Sequence, residues 1–282
     1  MPQLSHAETT RDRDVAATAA AWLGSPTVLG CLGVALALAV AEVAPRVGLI
    51  STDVFPPISD TLRVFFDQLG ESEFWSTVGQ TLQGWAIGLA LSFVIGVSLG
   101  AVLGASRFAH AALRPTIDFL RSIPGVAILP LVILVVESNL QMKVTLIVFG
   151  SVWFFVVQTM YGVMNVDTVA RDTVSSFGFG RLARARHLVL PSALPYVATA
   201  LRLAGSTALA IGVTVELLSG APGLGKSILT AESASNNTLL YALILAAGLL
   251  GVVVQILFVR IEAHLLRWQP ARQRLRSARR AV

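Results

Sequence analysis

The chain has 282 residues, of which 55% are hydrophobic and 13% are charged, and its formal net charge is +5. Soluble domains carry about 25% charged residues, so the composition excludes a water-soluble fold, which would expose large apolar patches. The high hydrophobic content also excludes a disordered or collagen-like protein. A disulfide-framed protein is excluded because the single cysteine, Cys31, has no internal partner. The apolar stretches are continuous rather than alternating, and this pattern predicts an all-α, polytopic membrane protein.

Six apolar runs are each long enough to cross a hydrocarbon layer of about 30 Å. In chain order they cover residues 28–43, 78–103, 117–136, 144–163, 194–218 and 239–259. The polar segment 1–25 is too long for the charged start of a signal peptide, so the first run is interpreted as an uncleaved helix. We therefore predict a six-helix transmembrane domain over residues 26–262, between an N-terminal tail (1–25) and a basic tail (263–282).

Between the first two runs, segment 53–75 mixes aromatic and leucine residues with five acidic residues. This amphipathic composition predicts a short interfacial helix on the outer side of the membrane.

The distribution of basic residues predicts the orientation. Both tails and the segments 105–114 and 165–193 hold most of the 21 Lys and Arg residues, whereas the other side holds only Arg46, Arg63, Lys143 and Lys226. The positive-inside rule then places both termini in the cytoplasm. The arginine-rich tail is interpreted as a flank against the lipid bilayer rather than a nucleic-acid site.

The predicted cytoplasmic loop 165–193 is too long to be a simple connection. Two acidic residues typical of N-caps open a first helix, two glycines break it, and two prolines stop a second helix. In order, these residues are Asp167, Asp172, Gly178, Gly180, Pro191 and Pro195. Patterning alone leaves open whether this helix–Gly–helix segment docks on lipid or on a cytosolic partner.

The same loop resembles the signature of ABC-importer permeases: an acidic residue, two small residues, three variable ones, Gly, nine variable ones, then Ile-x-Leu-Pro. The matching positions are Asp172, Thr173, Val174, Gly178, Leu188, Leu190 and Pro191. The sequence departs from the family signature at its start, where Asp172 replaces the usual Glu and Thr173-Val174 replaces Ala-Ala. The stretches LPSALPYVATALRLA, RSIPGVAILPLVIL, VTVELLSG and APGLGKSI resemble the nitrate/sulfonate/taurine/bicarbonate branch of that family, and the resemblance covers about 75–270.

This resemblance implies a type I ABC importer permease fold in the bacterial plasma (inner) membrane, working as a homodimer. It implies a cytosolic ATPase dimer that binds ATP and Mg, so this chain is expected to be no enzyme and to hold no cofactor or metal. It further implies an external solute-binding protein and a small anionic or organic solute such as a sulfonate, taurine or nitrate. The residues it assigns to ATPase coupling are Asp172, Ser176, Phe177, Gly178, Phe179, Arg181, Leu188, Leu190 and Pro191.

Residues 220–227, GAPGLGKS, match the phosphate-binding pattern G-x-x-x-x-G-K-S. The pattern is expected after a β-strand, whereas this segment follows the fifth apolar run and is predicted to lie outside the cell. We therefore interpret it as a glycine-rich turn at the outer mouth. Lys226 is a candidate either to attract an anion or to pair with Glu232.

Ionisable residues and helix breaks within the apolar runs suggest a path between two copies of the chain. Pro124 and Pro130 indicate a kinked helix beside a cavity. Arg202 is expected to reach the cytoplasmic interface or to pair with Asp118 or Asp167. Glu216 either anchors the glycine-rich turn or acts as a gate. The residues assigned to the path are Pro124, Ile128, Arg202, Glu216, Gly223 and Gly225.

Two other classes of function are weighed against the permease. A stand-alone secondary transporter or channel is the alternative, but it predicts acidic or histidine relays within the spans, and these are nearly missing. A membrane enzyme is disfavoured because neither H-E-x-x-H nor G-x-S-x-G occurs and the four histidines have no metal-ligand spacing.

Overall fold

The computed structural model describes residues 26–267, and within that range the chain is helical with no strand. The predicted tail 1–25 and most of the basic tail 263–282 lie outside the described residues. The helices are α1 Pro26–Arg46, α2 Ile58–Leu69, α3 Ser72–Ala105, α4 Arg107–Ser122, α5 Leu129–Val135, α6 Asn139–Met164, α7 Thr168–Ser176, α8 Arg181–Arg184, α9 Leu190–Ser219, α10 Leu224–Ser233 and α11 Asn237–Leu265. A 3₁₀ turn, Gly125–Ile128, precedes α5, and a π-helical segment, Ala185–Val189, precedes α9.

Five helical segments of the described chain are long and apolar enough to cross a membrane, and a bent pair makes a sixth if it is counted as one span. That pair is α4 followed by the 3₁₀ turn and α5, and its two parts meet at 82°. The predicted third run, 117–136, is therefore not one helix, and the predicted loop 105–114 lies largely within α4. The bend follows from Pro124, because a proline disfavours helical geometry in the residue before it, and Ile123 is accordingly extended.

Helices α3 and α6 pack closely along a stripe of small residues on α3, spaced four apart. The stripe is Gly84, Gly88, Ser92, Gly96, Gly100 and Gly104. A Cβ atom added at Gly100 would lie 2.5 Å from the backbone oxygen of Val156, so a side chain there would push the helices apart. At the middle of the stripe the hydroxyls of Ser92 and Ser151 are 2.8 Å apart. Small residues allow this approach where no hydrophobic effect drives helices together.

The buried core lies where α9 packs against α6 and α11. Helix α1 is largely exposed and is joined to α2 by Glu42, which accepts a 3.0 Å bond from the Ser59 amide and forms an ion pair with Arg46. The short helix predicted within segment 53–75 is α2, which packs against α11.

Candidate functional site

The glycine-rich turn 220–223 connects α9 to α10 and folds back over the last residues of α9. Gly220 ends α9 in the left-handed conformation, with φ +69°, and donates its N–H to the Glu216 carbonyl. Glu216 itself is fully buried beneath the turn. This placement agrees with the anchoring role considered for Glu216, since its side chain is closed off from the surface of the chain.

Three donors surround the Glu216 carboxylate. Lys143 Nζ lies 2.5 Å from Oε1, while the Thr81 hydroxyl and the Gly225 amide donate to Oε2 over 2.9 and 3.0 Å. The Thr81 oxygen in turn accepts a 2.9 Å bond from the Leu224 amide. The network therefore joins α3, α6, α9 and the start of α10 around one carboxylate.

Lys143 brings the compensating positive charge. Its side chain is 3% exposed and that of Glu216 is 0% exposed, so the ion pair is almost completely removed from solvent. Lys143 Nζ also donates to the carbonyls of Pro222 and Gln80, over 2.8 and 3.2 Å. A buried ion pair is tolerable only when further hydrogen bonds satisfy both partners, and here both have them.

Glycine is required at the positions that touch this pair. A Cβ atom at Gly223, where φ is +149°, would lie 2.1 Å from the Glu216 carboxyl carbon, and one at Gly225 would lie 2.3 Å from the Val213 carbonyl oxygen. On α3, a Cβ atom at Gly84 would lie 2.3 Å from the Lys143 side chain. A phosphate-binding loop would offer the amides of Leu224 and Gly225 to a nucleotide. Here they donate instead to the Thr81 hydroxyl oxygen and to Glu216 Oε2. The G-x-x-x-x-G-K-S pattern here therefore encodes a packed turn.

Sequence reasoning missed Lys143, which it counted among the charges of an outer loop. The residue instead lies in the first turns of α6 and is buried. A signal was present, because Lys143 directly precedes an apolar run and Glu216 ends another, and two opposite charges at such positions are candidates to pair. Lys226 is exposed, and no ion pair between Lys226 and Glu232 is present among the described residues.

The segment predicted to couple to an ATPase forms two helices separated by a glycine turn, which we call the 167–191 segment. Asp167 caps α7 by accepting a 2.8 Å bond from the Val169 amide. Helix α7 ends at Ser176, and Gly178 adopts the left-handed conformation, with φ +73°, before α8 begins at Arg181. Asp172 was predicted to be an N-cap type, but it lies in the middle of α7, where its carbonyl accepts the Ser176 hydroxyl.

The 167–191 segment carries exposed apolar side chains. Phe177 and Leu182, on either side of the glycine turn, and Val169, in the first turn of α7, are all largely exposed, and the Phe179 ring stands edge-on to His187 at 6.5 Å. Such a patch of exposed apolar side chains is typical of a surface that another molecule covers.

The prediction that Pro191 and Pro195 stop the second helix is wrong. From Arg181 the chain runs through α8, the π-helical segment and α9 without interruption to Ser219. Pro191 lies in the first turn of α9, directly after the π-helical segment that carries Leu188, and Leu190 is exposed. A π-helical segment changes the local hydrogen-bond ladder, so the missing N–H of a proline can be accommodated without ending the helix.

The residues assigned to the path do not form one group. Glu216, Gly223 and Gly225 lie together, as described above, whereas Pro124 and Ile128 lie at the break between α4 and α5. Arg202 pairs with Glu262 of α11, with its Nε atom 3.2 Å from Oε2. The predicted pairing with Asp118 or Asp167 is therefore wrong: Asp118 pairs with two arginines of its own helix, and Asp167 caps α7.

A profile of the family described as "Binding-protein-dependent transport system inner membrane component" matches residues 92–267, which contain α4 to α11 and the C-terminal part of α3. The chain belongs to this family. It is accordingly an ABC-transporter permease, a multi-pass protein of the plasma membrane.

Relatives of this permease are named for the transport of small anions. It is 26% identical to SsuC of Escherichia coli strain K12, named for aliphatic sulfonates transport, over 83% of this chain and 89% of that protein. It is 29% identical to the nitrate import permease protein NrtB of Leptolyngbya laminosa, over 65% of this chain and 66% of that protein. It is also 29% identical to the bicarbonate transport system permease protein CmpB of Synechococcus elongatus, with 73% and 74% covered.

Solved structures share the permease fold. A chain of the inward-facing MetNI methionine ABC transporter matches with a TM-score of 0.59 and 22% identity, over 69% of this chain and 98% of that one. A bacterial ABC transporter that imports the acidic polysaccharide alginate matches with a TM-score of 0.59 and 14% identity, over 95% and 100%. The helical bundle is therefore that of ABC importers.

Proposed function

We propose that this permease is the membrane-spanning subunit of an ATP-driven importer for a small anionic or organic solute of the sulfonate, taurine or nitrate type. In this proposal, six spans with both termini in the cytoplasm form the path as a homodimer. A cytosolic ATPase dimer binds ATP and Mg and carries out hydrolysis, and an external solute-binding protein delivers the solute. The names of the relatives support the solute class, and family membership disfavours the alternative of a stand-alone transporter or channel.

The observation that carries this proposal is the helical continuity between the 167–191 segment and the buried ion pair. One continuous helical stretch, which we call the rod, runs from Arg181 to Ser219, and at about 1.5 Å per residue its contour length is close to 60 Å. The exposed Leu182 lies at its first end, directly after the glycine turn, and Glu216 lies near its other end beneath the glycine-rich turn 220–223. A rigid element that joins two sites in this way can transmit a rigid-body displacement between them, whereas a flexible loop cannot.

The 167–191 segment is thus proposed as the part of the chain through which ATPase closure moves α9. The residues offered to the ATPase are those beside the glycine turn together with the signature positions, namely Asp172, Ser176, Phe177, Gly178, Phe179, Arg181, Leu188, Leu190 and Pro191. Displacement of α9 would carry Glu216 and hence the turn at the opposite end of the rod. The chain itself supplies the path and the coupling, and no catalytic step.

The test uses Gly178, whose Cβ would meet no atom within 4 Å but whose φ of +73° strongly disfavours a β-branched residue. The transporter is reconstituted in proteoliposomes with its cytosolic ATPase and solute-binding protein, and ATP-driven uptake is measured together with ATPase activity. Gly178→Val should lower uptake by about tenfold, since left-handed geometry costs a branched residue roughly 1–3 kcal/mol. Gly178→Asn is the matched control, because Asn tolerates this conformation. Full coupling in Gly178→Val, or activity of the permease without any ATPase, would contradict the proposal.

A further inference from the structure

Helix α4 carries a cluster of charged side chains along the face that it turns toward α6. Asp118 lies 3.1 Å from Arg121 and 3.7 Å from Arg114, measured between the carboxylate oxygens and the nearest guanidinium nitrogens. These three residues line a cavity together with His110, Met160 and Tyr161. The cavity lies beside the last two turns of α6 and is separate from the Lys143–Glu216 pair.

The cluster has an excess of positive charge. Asp118 is the one carboxylate that lines this cavity among the described residues, and it faces two guanidinium groups. Each guanidinium has five N–H donors in a fixed planar arrangement, so the two together offer about ten, more than the roughly four lone-pair sites of one carboxylate. The three side chains stay 47–67% exposed on the isolated chain, so the remaining donors are accessible to a ligand.

The cluster lies next to a break in the helical backbone. Arg121 lies in the last turn of α4, next to the extended residue Ile123 and to Pro124, which is exposed. Irregular backbone at membrane depth cannot face lipid, and it occurs only where it is covered by protein or lines a water-filled cavity. Charged side chains within spans follow the same rule and mark solute or ion pathways.

We propose that Arg114 and Arg121 form an oxyanion-binding site on the solute path, which receives a sulfonate, nitrate or similar small anion. The planar guanidinium geometry matches two oxygens of such a group, and the ligand shares the two arginines with Asp118. Asp118 holds the arginines in place when the site is empty and competes with the ligand for their donors. The inference rests on the proposed function and adds to it the chemistry by which the permease itself recognises its solute.

The experiment measures anion binding to the full-length permease, assembled with its ATPase in nanodiscs of uncharged phosphatidylcholine. Chloride is replaced by methanesulfonate, and separately by nitrate, at constant ionic strength. Binding is followed as an increase in the thermal unfolding midpoint, because a ligand that binds only the folded state stabilises it by mass action. Arg114→Gln and Arg121→Gln should each weaken binding about tenfold or more, as expected for the loss of a hydrogen bond to a charged group.

Asp118→Asn separates a binding site from a merely structural ion-pair network. If the three side chains only stabilise α4, Asp118→Asn should act like the arginine variants and leave no anion effect. Our proposal expects the opposite sign, with tighter binding, because the competing carboxylate is gone. Arg107→Gln is the matched control: Arg107 lies on the same helix, is exposed and does not line the cavity, so its variant should bind like the unmodified protein.

The other source of an oxyanion is a lipid headgroup, and a second set of nanodiscs containing phosphatidylglycerol distinguishes it. Stabilisation by phosphatidylglycerol that depends on Arg121, without any response to methanesulfonate or nitrate, would overturn the assignment to the solute path. Unchanged binding in both arginine variants would also overturn it. ATP-driven uptake of methanesulfonate in proteoliposomes reports on the proposed function separately, since binding without uptake would contradict that function and leave the anion site in place.

Discussion

The buried Lys143–Glu216 ion pair allows a sharp test of how this permease is held together. At 2.5 Å and an effective dielectric constant of about 20, the Coulomb attraction between two unit charges is about 7 kcal/mol. Desolvation of both groups offsets most of this attraction, so the net contribution of the pair is small. Removing one partner is different, because the remaining charge stays buried without compensation.

We expect Lys143→Met to lower the free energy of unfolding by about 3–5 kcal/mol, the usual cost of breaking a buried ion pair. Glu216→Gln should cost a similar amount, since Lys143 would keep its bonds to Pro222 and Gln80 but lose its counter-charge. The double variant contains no buried charge, so it should be destabilised by clearly less than the sum of the two single variants.

The assay is a double-mutant cycle on unfolding of the purified protein in detergent. Residues in one network are expected to show a coupling energy of about 0.5–3 kcal/mol. Lys226→Met is the control on the neighbouring stretch of α10, where the side chain is exposed, and it should change stability by no more than about 0.5 kcal/mol. Strictly additive single effects, or single variants as stable as the unmodified protein, would refute the reasoning.

Two predictions concern close packing of the helices. Gly100→Leu should destabilise the α3–α6 pair by about 1–3 kcal/mol, because its Cβ would lie 2.5 Å from a backbone oxygen that cannot move aside. Gly79→Leu on the same helix meets no atom within 4 Å and should be tolerated in the same unfolding measurement; equal losses in the two variants would contradict the packing argument. Gly205→Ala places a Cβ 2.1 Å from the Phe258 ring, and it should be rescued in part by Phe258→Leu, which removes the clashing atoms. No recovery in that double variant would show that the contact is not the cause.

The sequence of this permease by itself predicted a helical membrane protein and much of its local structure. Low charge and continuous apolar runs require a helical membrane protein, because lipid satisfies no backbone polar group. The local chemistry of Asp167 and Gly178 predicted a helix–Gly–helix segment, since both residues act on their immediate neighbours. The stripe of small residues on α3 was not predicted, although a spacing of four places them on one helix face.

Only the tertiary structure decided the contacts between residues far apart in the chain. Lys143 and Glu216 are separated by 73 positions, and nothing local to either residue distinguishes a buried partner from an interfacial charge. The same holds for Arg202, whose partner on α11 could be chosen only once α9 and α11 were packed together. Whether Pro191 ends a helix or sits within a continuous rod depended likewise on the π-helical segment before it. Local propensity determines which segments become helices, whereas packing in three dimensions determines which charged residues form ion pairs and whether a helix continues through a proline.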